Sequence, residues 1–162
     1  MTGDQETIIR KRNENIGKLF KLAARDFSGR ALVKLRERGY PDLTPFHTEL
    51  ISNLDVEGTR ISILAERAGM SKQAMGQIVS QLEKHGIILR TPDPADGRAT
   101  LIRFTDTGWD FLRTAYDVKN EIEAEYTAII GTNGMDSLRQ LLDAILSSET
   151  PEMKHPNDPT AE

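Results

Sequence analysis

The sequence predicts a mainly α-helical fold carrying one small β-hairpin, and three features predict it. Apolar residues recur at helical spacing through most of the 162 residues. A single pair of strand-like segments, "GIILRT" and "ATLIRF", flanks the turn-rich "PDPADGR". Two short helical segments, "ISILAERAG" and "SKQAMGQIVSQLEKHG", stand just before that hairpin, each closed by a glycine.

The elements follow in order. Residues 6–38 predict one long helix, with Ile9, Ile16, Leu19, Phe20, Ala23, Phe27, Leu32 and Leu35 at roughly helical spacing. Gly39 and Pro41 stop it. "LTPFHTELISNL" is a second helix, with Thr44 as N-cap, Pro45 at its first position and Phe46, Leu50, Ile51 and Leu54 on one face. "DVEGTR" is a turn. The next two helices end at Gly69 and Gly86, the second starting from Ser71 as N-cap. Strands are expected at about 87–91 and 99–104. A long helix then runs through "TDTGWDFLRTAYDVKNEIEAEYTAII", with Trp109, Leu112, Tyr116, Ile122, Tyr126 and Ile130 near one face. "GTNG" breaks it, and Leu138, Leu141, Leu142, Ile145 and Leu146 mark a last helix. The polar, proline-bearing residues 149–162 read as a disordered tail after a single domain over 1–148.

Composition excludes several functions. Hydrophobic residues are 38% and charged residues 28%, an ordinary globular balance. Cysteine is absent, which removes disulfides, thiol chemistry and thiolate metal sites. His47, His85 and His155 are scattered, and none has a second histidine three or four residues on, so no metal site is expected. No cofactor is expected either. No Ser/His/Asp grouping, glycine-rich phosphate loop or paired carboxylates in an apolar setting suggest an enzyme. No apolar run reaches the ~18 residues of a membrane span. The opening "MTGDQETIIRKRNEN" lacks the apolar core of a signal peptide, so the cytoplasm is the expected location.

Net charge is −4, yet residues 60–103 hold seven basic residues against four acidic ones. This basic middle is either chance clustering or the footprint of a polyanion. Within it, Ala65 and Gly69 are placed as in a helix-turn-helix: the small residue lets two helices approach, and the glycine takes the turn. Met75, Ile78, Val79 and Leu82 face inward. The outer face of the second helix then carries Ser71, Lys72, Gln73, Gly76, Gln77, Ser80, Gln81 and Lys84. It is either an ordinary solvated face or a major-groove face, where glutamine reads adenine and lysine reaches guanine or phosphate. Ser71 and the first amides at the helix N-terminus suit a phosphate.

The hairpin that follows makes a winged helix-turn-helix. Pro92 and Pro94 lack amide donors and are expected to stop the sheet, while Asp93, Asp96 and Gly97 supply turn chemistry. Arg98 at the tip suits a narrow minor groove. Asp96 is expected to hold the Arg98 guanidinium, to stiffen the turn, or both. A protein-interaction module without specific DNA binding is the alternative function for such a fold. The outer face lacks the aromatic or aliphatic anchors such a module exposes.

"LTPFHTEL", "LAERAGMSKQAMGQIVSQLEKHGII", "RTPDPADGRATLIRFTDTG" and the last leucine-rich helix together resemble the MarR family of transcriptional regulators. The resemblance covers about residues 8–148 and implies a homodimer built by N- and C-terminal dimerisation helices (6–38 and 106–148) around a winged helix-turn-helix at about 44–105. It implies a pseudo-palindromic double-stranded DNA operator, commonly repression, and often release by a small aromatic effector. It places DNA contacts on Ser71, Lys72, Gln73, Gln77, Lys84 and Arg98, with Asp96 as wing support. Gln77 stands where the family often has arginine, and Gly76 offers no side chain. The terminal helices have more apolar surface than a small winged domain covers, so they pack either into one monomer core or across a two-fold axis. An effector pocket, if the aromatics are not simply core, is expected near Phe20, Phe27, His47, Trp109 and Tyr116.

Overall fold

Asn15 divides what the periodicity reads as one helix. In the computed structural model, which describes residues 3–148, α1 spans Gly3–Glu14 and α2 spans Ile16–Glu37. Asn15 is extended (φ −72°, ψ 144°), and its Oδ1 accepts the Lys18 N–H at 2.9 Å. Its side-chain amide donates to the Arg12 carbonyl at 2.8 Å. One asparagine thus serves the end of one helix and the start of the next, which a count of apolar spacings does not register. The tail expected from residue 149 lies outside the described residues.

Helix α3 spans Pro45–Asn53, with Thr44 as N-cap and Pro45 in the first turn. The segment read as a turn contains a two-residue strand, β1 (Thr59–Arg60), too short to carry a pattern. Helices α4 (Ile61–Arg67) and α5 (Lys72–Lys84) follow. Both end in the same way. Gly69 (φ 61°) and Gly86 (φ 68°) take the left-handed conformation. The next amides then reach back, Met70 to Ala65 O at 2.8 Å and Ile87 to Leu82 O at 3.1 Å.

Strands β2 (Ile88–Asp93) and β3 (Asp96–Phe104) form an antiparallel sheet with β1, in the order β1-β3-β2. The strands therefore run further than expected: Pro92 pairs with Thr100 inside the sheet. It is tolerated because β2 is an edge strand, where a missing amide donor leaves no ladder bond broken. A register shift between Pro92 and Asp93 tightens the connection to Pro94–Ala95.

Helix α6 spans Asp106–Ile130 and α7 spans Thr132–Leu146. The chain divides into two compact units, one ending at Ile122 and the other starting at Glu123. The first is centred on Leu50, Leu64, Met75, Val79, Leu82 and Ile102, all fully or almost fully buried. Its part of α6 buries Gly108, Phe111, Val118 and Ile122. This corrects the expected face: Tyr116 is 61% exposed, and of that expected set only Ile122 is buried. The helix has two apolar stripes, and the core takes the one through Phe111. The second unit buries Met135 and leaves Leu138, Leu141, Ile145 and Leu146 exposed. Gly131 (φ 77°) turns the chain between its helices.

Candidate nucleic-acid interface

Helix α5 is amphipathic by its spacing. Met75, Ile78, Val79 and Leu82 are buried beneath it, while Lys72, Gln73, Gln77 and Lys84 stand exposed opposite them. Ser71 is exposed at the N-cap, where its Oγ accepts the Ala74 N–H at 3.1 Å. Its hydroxyl hydrogen stays available, as do the Lys72 and Gln73 amides at the positive end of the helix, which make no hydrogen bond among the described residues.

The rest of the outer face is held. Ser80 Oγ donates to the Gly76 carbonyl at 2.9 Å and accepts from Arg90 Nη2 at 3.0 Å. Arg90, on β2, also donates from Nε to Glu83 at 3.1 Å. Sequence reasoning missed this arginine, which ties the wing to α5. Gln81 Oε1 lies 2.7 Å from His47 Nε2.

The basic cluster sorts in the same way. Arg60 pairs with Asp93 at 2.5 Å, and Arg67 with Asp55 at 2.9 Å while donating to the Asn53 carbonyl. Arg90 pairs with Glu83, and Arg103 is half-buried. Lys72, Lys84 and Arg98 remain exposed, and among the described residues none of them forms an ion pair or side-chain hydrogen bond. Of the seven basic residues, these three are the ones the sequence singled out for DNA.

At the wing, the structure replaces one expected contact with another. Asp96 Oδ1 accepts the Arg98 backbone N–H at 3.1 Å, so Asp96 stiffens the turn and does not hold the guanidinium. The two-residue spacing suits an Asx turn. The residue that anchors the wing is Asp93, which is 7% exposed. Its Oδ1 accepts the Ala95 N–H at 2.8 Å, and its Oδ2 takes the Arg60 guanidinium. The Ala95 amide first, then Arg60, holds the Asp93 carboxyl below its usual range. Asp55 is likewise lowered, chiefly by Arg67.

The first unit also carries an open cavity of about 530 Å³. Phe27, Trp109 and Tyr116 line it, as expected, together with Phe111, Glu49 and Lys119. Phe20 and His47 do not line it; His47 is turned toward α5. Among the described residues no cluster of histidine, aspartate or glutamate could hold a metal ion, and no helix is long and apolar enough to cross a membrane.

Four similarities bear on this arrangement. A family model described as the MarR family matches residues 47–100, the segment from α3 to the wing. A helix-turn-helix-type transcriptional regulator of Mycobacterium bovis is 29% identical over 84 residues. That match takes in 52% of this chain, and the chain spans only 59% of the length of that relative. Wild-type Escherichia coli MarR, in its apo form, superposes with a TM-score of 0.71 at 17% identity, covering 82% of this chain and 96% of that one. A Staphylococcus aureus MepR variant, solved bound to an oligodeoxyribonucleotide, gives 0.57 at 19% identity, covering 83% and 97%.

Proposed function

From the match of the MarR family model to residues 47–100 and the likeness to helix-turn-helix-type regulators, we propose that this chain is a MarR-family transcriptional regulator, acting in the cytoplasm as a homodimeric repressor that a small aromatic effector releases from a pseudo-palindromic DNA operator. One observation carries the DNA reading. Among the described residues, Lys72, Lys84 and Arg98 are left without ion partners on the outer face of α5 and at the wing tip, while three neighbouring arginines are taken up in pairs within the fold. Unpaired surface cations around a polar helix face suit a duplex. Gln73 and Gln77 are free to read base edges, and Ser71 to meet a phosphate. The solved DNA complex of a protein with this fold supports the same use of the fold.

Effector release is supported by the cavity. Aromatic walls with Glu49 and Lys119 at hand suit a small aromatic molecule bearing a polar group. Helix α3 lines this cavity with Thr48, Glu49 and Ser52, and it touches α5 through His47. An occupant that favours a shifted α3 lowers DNA affinity by its differential affinity for the two states.

Selection of bound duplexes from a random pool tests the DNA reading. One palindromic site is expected, with an affinity that falls as salt rises. Lys84→Ala should lower affinity for all sequences and reduce the salt slope by about one. A purified protein that binds no duplex at low ionic strength overturns the proposal.

A further inference from the structure

We propose that His47 is a positioning residue for the DNA-reading helix: it holds the Gln81 oxygen toward α3, so that the side-chain NH₂ is the group offered to an acceptor on the DNA. The proposal rests on the reading of α5 as the DNA-facing helix.

The argument starts from a capping box. Thr44 Oγ1 accepts the His47 N–H, and His47 Nδ1 lies 3.2 Å from the Thr44 backbone nitrogen. The third residue of such a box is ordinarily Glu or Gln, which has no second arm. Histidine has one. A backbone N–H can only donate, so Nδ1 is the acceptor and the neutral ring carries its hydrogen on Nε2. Nε2 therefore donates to the atom 2.7 Å away, Gln81 Oε1. The ring is 3% exposed and cannot turn away to water, and the His85 ring stands edge-on with centroids 6.4 Å apart.

The consequence lies on the exposed side. Glutamine reads adenine with its oxygen and its nitrogen together. Gln81 is exposed and has its oxygen turned to His47, so its NH₂ is the group left to meet the DNA. It selects acceptors: a phosphate oxygen or the O6, N7 or O4 edge of a base. Gln73 and Gln77 make no side-chain hydrogen bond among the described residues and keep both groups.

Two variants separate the roles. Gln81→Met keeps the length and removes both polar atoms. His47→Gln keeps the capping acceptor and removes the Nε2 donor. Against the duplex selected from the random pool, Q81M should bind about fivefold to tenfold more weakly than the parent. H47Q should melt close to the parent and lose less affinity, and the double variant should bind no more weakly than Q81M. Duplexes carrying single methylphosphonates or single deazaguanines lacking N7 identify the acceptor: the one whose penalty disappears in Q81M is the partner, and either supports the proposal. Q81M within about twofold of the parent, losses that add in full, or a Q81M that has lost a preference for adenine over guanine overturns it. So does heteronuclear NMR of the parent showing the His47 proton on Nδ1. A parent that binds no duplex defeats the DNA reading itself. A parent that binds while Q81M is unaffected defeats this inference alone.

Discussion

Arg98 stands at the wing tip with its guanidinium unheld by any described residue. Truncating it leaves no buried charge behind, so Arg98→Ala should keep the folded circular-dichroism spectrum and melting temperature while weakening binding to the selected duplex roughly tenfold. Unchanged affinity removes the wing tip from the contact. Asp93 behaves in the opposite way, because it is a structural charge. Its carboxyl is held below the ordinary value of 3.8, first by the Ala95 amide and then by Arg60. A depressed folded value means that its stabilisation is present above the ordinary carboxylate range and is lost as pH falls through the folded value. Asp93→Asn should therefore have a lower urea midpoint than the parent at neutral pH, and the gap should close in acid. A gap that persists unchanged in acid rejects that linkage. These two residues also mark what was legible. Arg98 and Ser71 are local features of a turn and a cap, and the sequence shows them. Asp93 and Arg60 lie 33 residues apart and meet only because β1 joins the sheet, so no spacing announces the pair.

Among the elements, the start of α6 has the tightest fit. Thr105 caps it, accepting the Gly108 N–H at 2.9 Å and donating to the Gly86 carbonyl. A Cβ on Gly108 would come within 2.1 Å of the Ile87 carbonyl oxygen, so the helix meets the backbone just before β2 only where a side chain is missing. Gly108→Ala should lower unfolding free energy by about 1–3 kcal/mol through this overlap. Gly76 is the control. A Cβ there meets nothing within 4 Å, so Gly76→Ala should raise stability by up to about 1 kcal/mol from helix propensity alone. Urea unfolding of both variants checks the pair; equal effects from the two would refute the close approach. The caps at Thr44, Ser71, Gly69 and Gly86 were readable because each depends on residues within one turn. The break at Asn15 and the extension of β2 past Pro92 were not. The first depends on one side chain outweighing a continuous apolar pattern, and the second on β2 being an edge strand, which only the assembled sheet decides.

For the whole molecule, helical periodicity reveals which faces are apolar but not what covers them. Trp109, Tyr116 and Ile122 look alike in spacing, yet Ile122 is buried and Tyr116 is not. The same question arises at the chain's two ends. On α2, in the first unit, Ile16, Leu19 and Phe20 are exposed at helical spacing. In the second unit, Leu141, Ile145 and Leu146 are 63%, 53% and 79% exposed. Scattered exposed apolar residues need no explanation, but rows at helical spacing on successive turns do. A second copy is the proposed cover, and a two-fold pair would present two α5 helices to major grooves about 34 Å apart. Light scattering after size exclusion should then give twice the chain's mass at micromolar concentration. Leu141→Arg combined with Ile145→Arg places two charges on an exposed row, where they disturb no buried contact of the single chain. That variant should run as a folded monomer and bind the full palindrome with little more affinity than a half-site. A parent that is monomeric, or a double variant that still dimerises, would show that α7 is not the joining surface, and the palindromic operator would lose its structural basis.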